Sequence, residues 1–131
     1  MSDVSTPANK LIRRLPLSIL IVLALSYEPI RSGFVLANQS CELLTDWERV
    51  QGAIFNRRHV IAYGLLCLAA AATFRENRIL KAAIFIFLFS VFLEFEQSFF
   101  ITGHCRSWDL IPNILGIGIA SAIFLIGVRV L

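Results

Sequence analysis

Charge is scarce in this chain of 131 residues: only 16% are Asp, Glu, Lys or Arg, against 57% hydrophobic. A soluble domain of this length needs far more polar surface than that. The 3 cysteines, Cys41, Cys67 and Cys105, form no CxxC pair or other metal-type spacing. Cys41, His104 and Cys105 could meet at a zinc ion only with a fourth ligand that the sequence does not offer. The plainer reading is two loop thiols and one buried thiol. There is no Ser/His/Asp order, no glycine loop that would cradle a phosphate and no cofactor motif. Internal repeats and low-complexity tracts are also missing.

What is present is hydrophobic length. The mean hydropathy is +0.75, and one domain is expected from the length. The net charge is +3, but the basic residues sit at the ends of apolar runs. There they serve as topology and interface anchors rather than as a nucleic-acid patch. The pattern predicts an all-α membrane protein with four transmembrane helices, over about 11–27, 57–74, 79–101 and 109–128. A polar tail, residues 1–9, is expected to be disordered.

The first run admits two readings. Lys10, Arg13 and Arg14 ahead of Leu15–Leu25, with Ala24-Leu25-Ser26 after it, resemble a signal peptide. The alternative is a retained helix, about 25 Å long, that Pro29 stops. In the polar stretch that follows, Thr45-Asp46-Trp47-Glu48 has the form of a capping box. Trp47, Val50 and Ile54 then recur at helical spacing. This predicts a short amphipathic helix in the first outer loop, either with Trp47 at headgroup level or as an ordinary loop helix packed on the bundle. The second run contains Gly64 and Ala69–Ala72, and the fourth contains Gly116/Ala120 and Gly118/Ala122. Such small residues allow close helix approach in lipid. Lys and Arg favour one side by seven to five when counted from the sequence, which predicts cytoplasmic termini. Cys41 and Cys105 then share the oxidising side, where a disulfide can form.

The polar residues that are out of place in so apolar a chain crowd toward the C-terminus. Glu94 is expected about 10 Å inside the third span, with Gln97 on the same face and Ile101 continuing the stripe. Glu96 points about 160° away from Glu94. An acid inside a membrane helix marks either a site or a structural hydrogen bond or ion pair, for Glu94 most naturally with Arg106 or His59. Arg106 could grip a phosphate or carboxylate in bidentate fashion, or pair with Glu94 or Asp109. Asp109 reads as the N-cap of the fourth helix, with Asn113 one turn further in. His59 and Tyr63, four residues apart, share one helix face. His59 could move a proton or be structural.

Glu94-x-x-Gln97 followed by Arg106-x-x-Asp109-x-x-x-Asn113-x-x-Gly116 resembles the signature of VanZ-like membrane proteins. His59-x-x-x-Tyr63 resembles a second block of that family, and Leu25–Pro29 its first-helix ending. Family members often carry an Asp-Lys pair shortly before the histidine; Phe55 and Asn56 stand there in this chain. The resemblance implies a retained first helix and a bacterial inner-membrane protein. It places the protein in the cell envelope, since the founding member is linked to resistance to the glycopeptide teicoplanin.

Three functions follow as expectations. The first is recognition of an anionic lipid or cell-wall precursor headgroup by His59, Tyr63, Glu94, Gln97, Arg106, Asp109 and Asn113, with membrane lipids around it. The second is a structural role within a larger membrane-protein complex. The third is an intramembrane enzyme or proton-coupled carrier using Glu94 and His59.

Overall fold

The computed structural model describes residues 7–43, 46–74 and 76–130. Among these there are five α-helices and no strand. They are α1 (Pro7–Arg31), α2 (Trp47–Ile54), α3 (Arg57–Thr73), α4 (Arg78–Gln97) and α5 (Leu110–Val130). A single 3-10 turn, Ser107–Asp109, leads into α5.

α3 is the central helix and packs on α5, α4 and α1. Its small residues set that position. A β-carbon added to Gly116 would run into the Val60 carbonyl, and one added to Gly64 would lie 3.3 Å from the Gly116 carbonyl oxygen. α3 and α5 therefore meet backbone to backbone. Cys67, Ala70, Ala71, Ala82, Ile86 and Ala120 fill the core beyond this crossing. Leu17, Leu20, Ala24 and Leu25 lay one face of α1 against it. Gly118 faces open space and Ala122 is exposed, so only the Gly116/Ala120 pair works as a helix contact.

The outer faces of the bundle are apolar. Ile19, Val22 and Leu23 on α1, Ile61 and Leu65 on α3, Ile84 and Leu88 on α4, and Ile119 and Ile123 on α5 are all exposed. By length and composition one segment among the described residues, Ser107–Gly127, is long and apolar enough to cross a membrane. α3 has only 17 residues, and α4 carries Lys81, Glu94 and Glu96 within its 20.

Three boundaries differ from the sequence expectations. First, α1 begins at Pro7, inside the stretch expected to be disordered, while residues 1–6 lie outside the described residues. Second, Pro29 does not stop α1. The helix continues to Arg31 and closes through Ser32 N–H to the Glu28 carbonyl and Phe34 N–H to the Pro29 carbonyl. Proline removes only its own donor; its carbonyl remains free to accept from the next turn.

Third, α4 ends at Gln97, four residues short of the expected Ile101. The peptide groups beyond it are used by the first loop instead. Ala37 N–H donates to the Phe99 carbonyl, Gln39 N–H to Ser98, and Ile101 N–H to Val35. Gly103 folds back onto the Gln97 carbonyl, where any β-carbon would collide. Further along, Glu42 N–H donates to the Cys105 carbonyl and Ser107 N–H to Glu42. Cys41 and Cys105 are joined by a disulfide with their α-carbons 4.6 Å apart. The two thiols are thus bonded to each other rather than left as metal ligands. Loops 32–43 and 98–107 form one stitched cap over the end of the bundle.

The short amphipathic helix is present as α2, seated on α5 and the 3-10 turn. Of its expected apolar stripe, Trp47 and Ile54 are exposed and Val50 is half-buried, while Ala53 is the buried contact. Asp46 is the N-cap, without a side-chain cap bond. Thr45 of the expected capping box lies outside the described residues.

Candidate functional site

Beneath the stitched cap, the ends of α1, α3 and α4 surround a cavity of about 600 Å³. Five of the seven residues singled out from the sequence line it: His59, Tyr63, Gln97, Arg106 and Asp109. The other two, Glu94 and Asn113, are buried, at 5% and 0% exposure. They support the wall from inside.

The support is a polar chain across three helices. Asn113 on α5 places its Oδ1 2.8 Å from Nδ1 of His59 on α3. Glu94 on α4 accepts from the Arg106 backbone N–H at 3.4 Å. Asn113 also lies within hydrogen-bonding reach of Glu94. The early end of α4 changes the setting of Glu94. It lies three residues from the helix terminus, under the loop, rather than seven residues inside a longer span. Ile101, expected on the same helical stripe, belongs to the loop and is exposed.

Neither ion pair considered for Glu94 forms. Arg106 reaches it through the peptide N–H, and His59 is engaged by Asn113. The Arg106 guanidinium instead leans over the Trp108 ring, 5.9 Å from its centre, with Nε 3.9 Å from Glu42 Oε2. Arg49 faces the same ring at 5.2 Å. These groups line a second hollow of about 570 Å³ between α2 and the cap, and Arg106, Asp109 and Asn56 border both hollows. Asp109 sits in the 3-10 turn with its side chain on the cavity wall, rather than serving as the first cap of a helix.

The cavity also holds residues that the sequence reasoning did not select: Tyr27, Glu28, Arg31, Asn56, Arg58 and His104. Glu28 is the most consequential. It is 5% exposed, pairs with Arg31 at 3.3 Å and accepts from Thr102 Oγ1 at 3.2 Å. The sequence hides it, because Pro29 predicts a helix end that leaves Glu28 in a solvated loop. The usable signal is its place inside the Leu25–Pro29 block. In the sequence Arg58 reads only as a topology anchor.

These positions define a small helical protein with a polar, cation-rich recess at one end of an otherwise apolar bundle. The VanZ/LLP1 family matches residues 5–128, nearly the whole chain, and the protein belongs to that family. No curated protein and no solved structure matches it.

Proposed function

We propose that this protein crosses the bacterial inner membrane four times, with both termini in the cytoplasm, and recognises an anionic cell-envelope headgroup in the recess beneath its outer cap. The apolar outer faces of α1, α3, α4 and α5 support the four-span reading. A helix of 17 residues reaches about 25 Å, a short span that flanking arginines extend by snorkelling.

The observation that carries the recognition reading is the charge of the recess. Arg31, Arg58 and Arg106 line it together with His59 and His104, against Glu28 and Asp109. Glu28 is already matched by Arg31. Arg58 has no ion-pair partner among the described residues, and Arg106 has only a long contact with Glu42. A planar guanidinium suits the paired oxygens of a phosphate or carboxylate. Tyr27, Asn56 and Gln97 on the same walls can hydrogen-bond the uncharged part of a headgroup.

Native mass spectrometry tests this, with the wild type beside Arg58→Ala and Arg106→Ala. Retention of one anionic lipid or cell-wall precursor by the wild type, and its loss from both folded variants, is the expected result. If all three release the same mixture of bulk phospholipids, the reading fails. The second reading is then preferred, in which the buried Glu94–Asn113–His59 chain is packing chemistry for a structural subunit of a larger membrane complex.

A further inference from the structure

We propose that the recess selects a hydroxyl-bearing anion, because Asn113 holds His59 as a hydrogen-bond acceptor facing the ligand. This rests on the anion-recognition reading above and adds the chemistry of the group beside the charge.

The starting point is a pair of unsatisfied atoms. Asn113 Nδ2 and Glu94 Oε1 are both buried and lack a hydrogen-bond partner among the described residues. They belong to neighbouring side chains within hydrogen-bonding reach of each other. An amide nitrogen only donates, and the Glu94 carboxyl, which already accepts the Arg106 N–H at Oε2, takes the Asn113 amide as a second donor. Glu94 therefore requires the nitrogen of Asn113 on its side. The reverse orientation would set two acceptors face to face inside the bundle, at a cost that buried groups do not sustain.

With Nδ2 turned to Glu94, Oδ1 is the atom that meets His59 at 2.8 Å. An amide oxygen cannot donate, so His59 Nδ1 carries the proton. The other nitrogen of a neutral ring, Nε2, is then a bare lone pair. His59 lines the recess, and its ring stacks on Tyr63 with centres 6.1 Å apart. Nε2 has no partner among the described residues. Asp109 lies within electrostatic reach of the ring but forms no ion pair with it. Arg58 and Arg106 beside it are donors only, while Asn56 and Gln97 offer both a donor and an acceptor. His59 Nε2 is the acceptor that the Asn113 contact fixes in place. The complementary ligand presents its charge to the arginines and an O–H to His59, as a phosphate ester of a polyol does. Glu94 and Asn113 are positioning residues in this scheme.

Two measurements on the full chain in micelles test it. In nitrogen-15 spectra of histidine-labelled protein, with His104→Gln assigning the two histidines, His59 is expected as the Nδ1–H tautomer at neutral pH. An Nε2–H tautomer, or a doubly protonated ring, overturns the proposal. For binding, short-chain phosphatidylglycerol is compared with phosphatidylmethanol, which has the same single charge without headgroup hydroxyls. The wild type is expected to prefer the glycerol headgroup about tenfold, the worth of one well-placed hydrogen bond. His59→Phe keeps a flat ring but no acceptor, and should bind the two lipids equally. Glycerol phosphate against methyl phosphate repeats the comparison for a soluble ester. Selectivity in that pair alone supports the same chemistry with a free phosphate as its source. Equal affinity within both pairs sinks the hydroxyl inference and leaves anion recognition standing. If neither lipid is preferred over phosphatidylcholine and neither soluble phosphate ester binds, anion recognition itself fails.

Discussion

Gly64 and Gly116 meet backbone to backbone where α3 crosses α5, leaving no room for a β-carbon on Gly116. The contact lies one turn below His59 and Asn113, so it sets how closely those two side chains can approach. Gly116→Val should widen the crossing, cost about 1–3 kcal/mol as an overpacked core contact, and lengthen the His59–Asn113 bond. Gly118→Ala, in open space, should be neutral. Thermal unfolding in detergent, followed for both variants, separates the two; equal melting temperatures would contradict the crossing.

The Cys41–Cys105 bond closes a loop with a sequence separation of 64. Chain-entropy arguments give such a closure about 4 kcal/mol. The paired Cys41→Ser, Cys105→Ser variant should therefore unfold at distinctly lower temperature. It should also loosen the pairing of Ala37 with Phe99, which hydrogen exchange would register as faster exchange at the Ala37 amide.

The same cysteines report orientation. In spheroplasts, a membrane-impermeant thiol reagent should label Cys41 and Cys105 only after reduction, and leave buried Cys67 untouched. Labelling confined to inside-out vesicles would invert the proposed topology.

Asn113→Leu keeps the branched side-chain shape but takes the partner from His59 Nδ1. A buried polar group left without a partner costs about 1–3 kcal/mol. The variant should be destabilised by that amount. Glu94→Gln, which can still accept the Arg106 N–H, should lose less. If Asn113→Leu were as stable as the wild type, the three-helix polar chain would have no role in holding the bundle together.

Anion binding in the recess should weaken with added salt, because Arg58 is exposed and its field is screened within about 8–10 Å at ordinary ionic strength. Arg58→Ala should lower affinity severalfold and flatten that salt dependence. Lys81→Ala, on an exposed position in the first turn of α4, should change neither. Titrations at several salt concentrations check this.

Much of the architecture was legible in one dimension. Helical runs, an amphipathic α2 and small residues for close packing all follow from local composition and period, which a helix expresses without help from the rest of the chain. Family membership was legible for a related reason: Glu94, Gln97, Arg106, Asp109 and Asn113 keep a fixed spacing along neighbouring segments. Five of the seven chosen residues line the recess because polar groups in an apolar chain have few other places to go.

Tertiary structure decided what depends on partners distant in sequence. Pro29 remains helical, and Glu28 is buried where Thr102, 74 residues away, hydrogen-bonds it. α4 ends at Gln97 because the first loop takes the peptide groups of residues 98–101, an exchange no local propensity encodes. The pairing of His59 with Asn113 rather than Glu94 follows from the distance at which α3 and α5 meet, and two glycines 52 positions apart determine that distance only once the chain has folded.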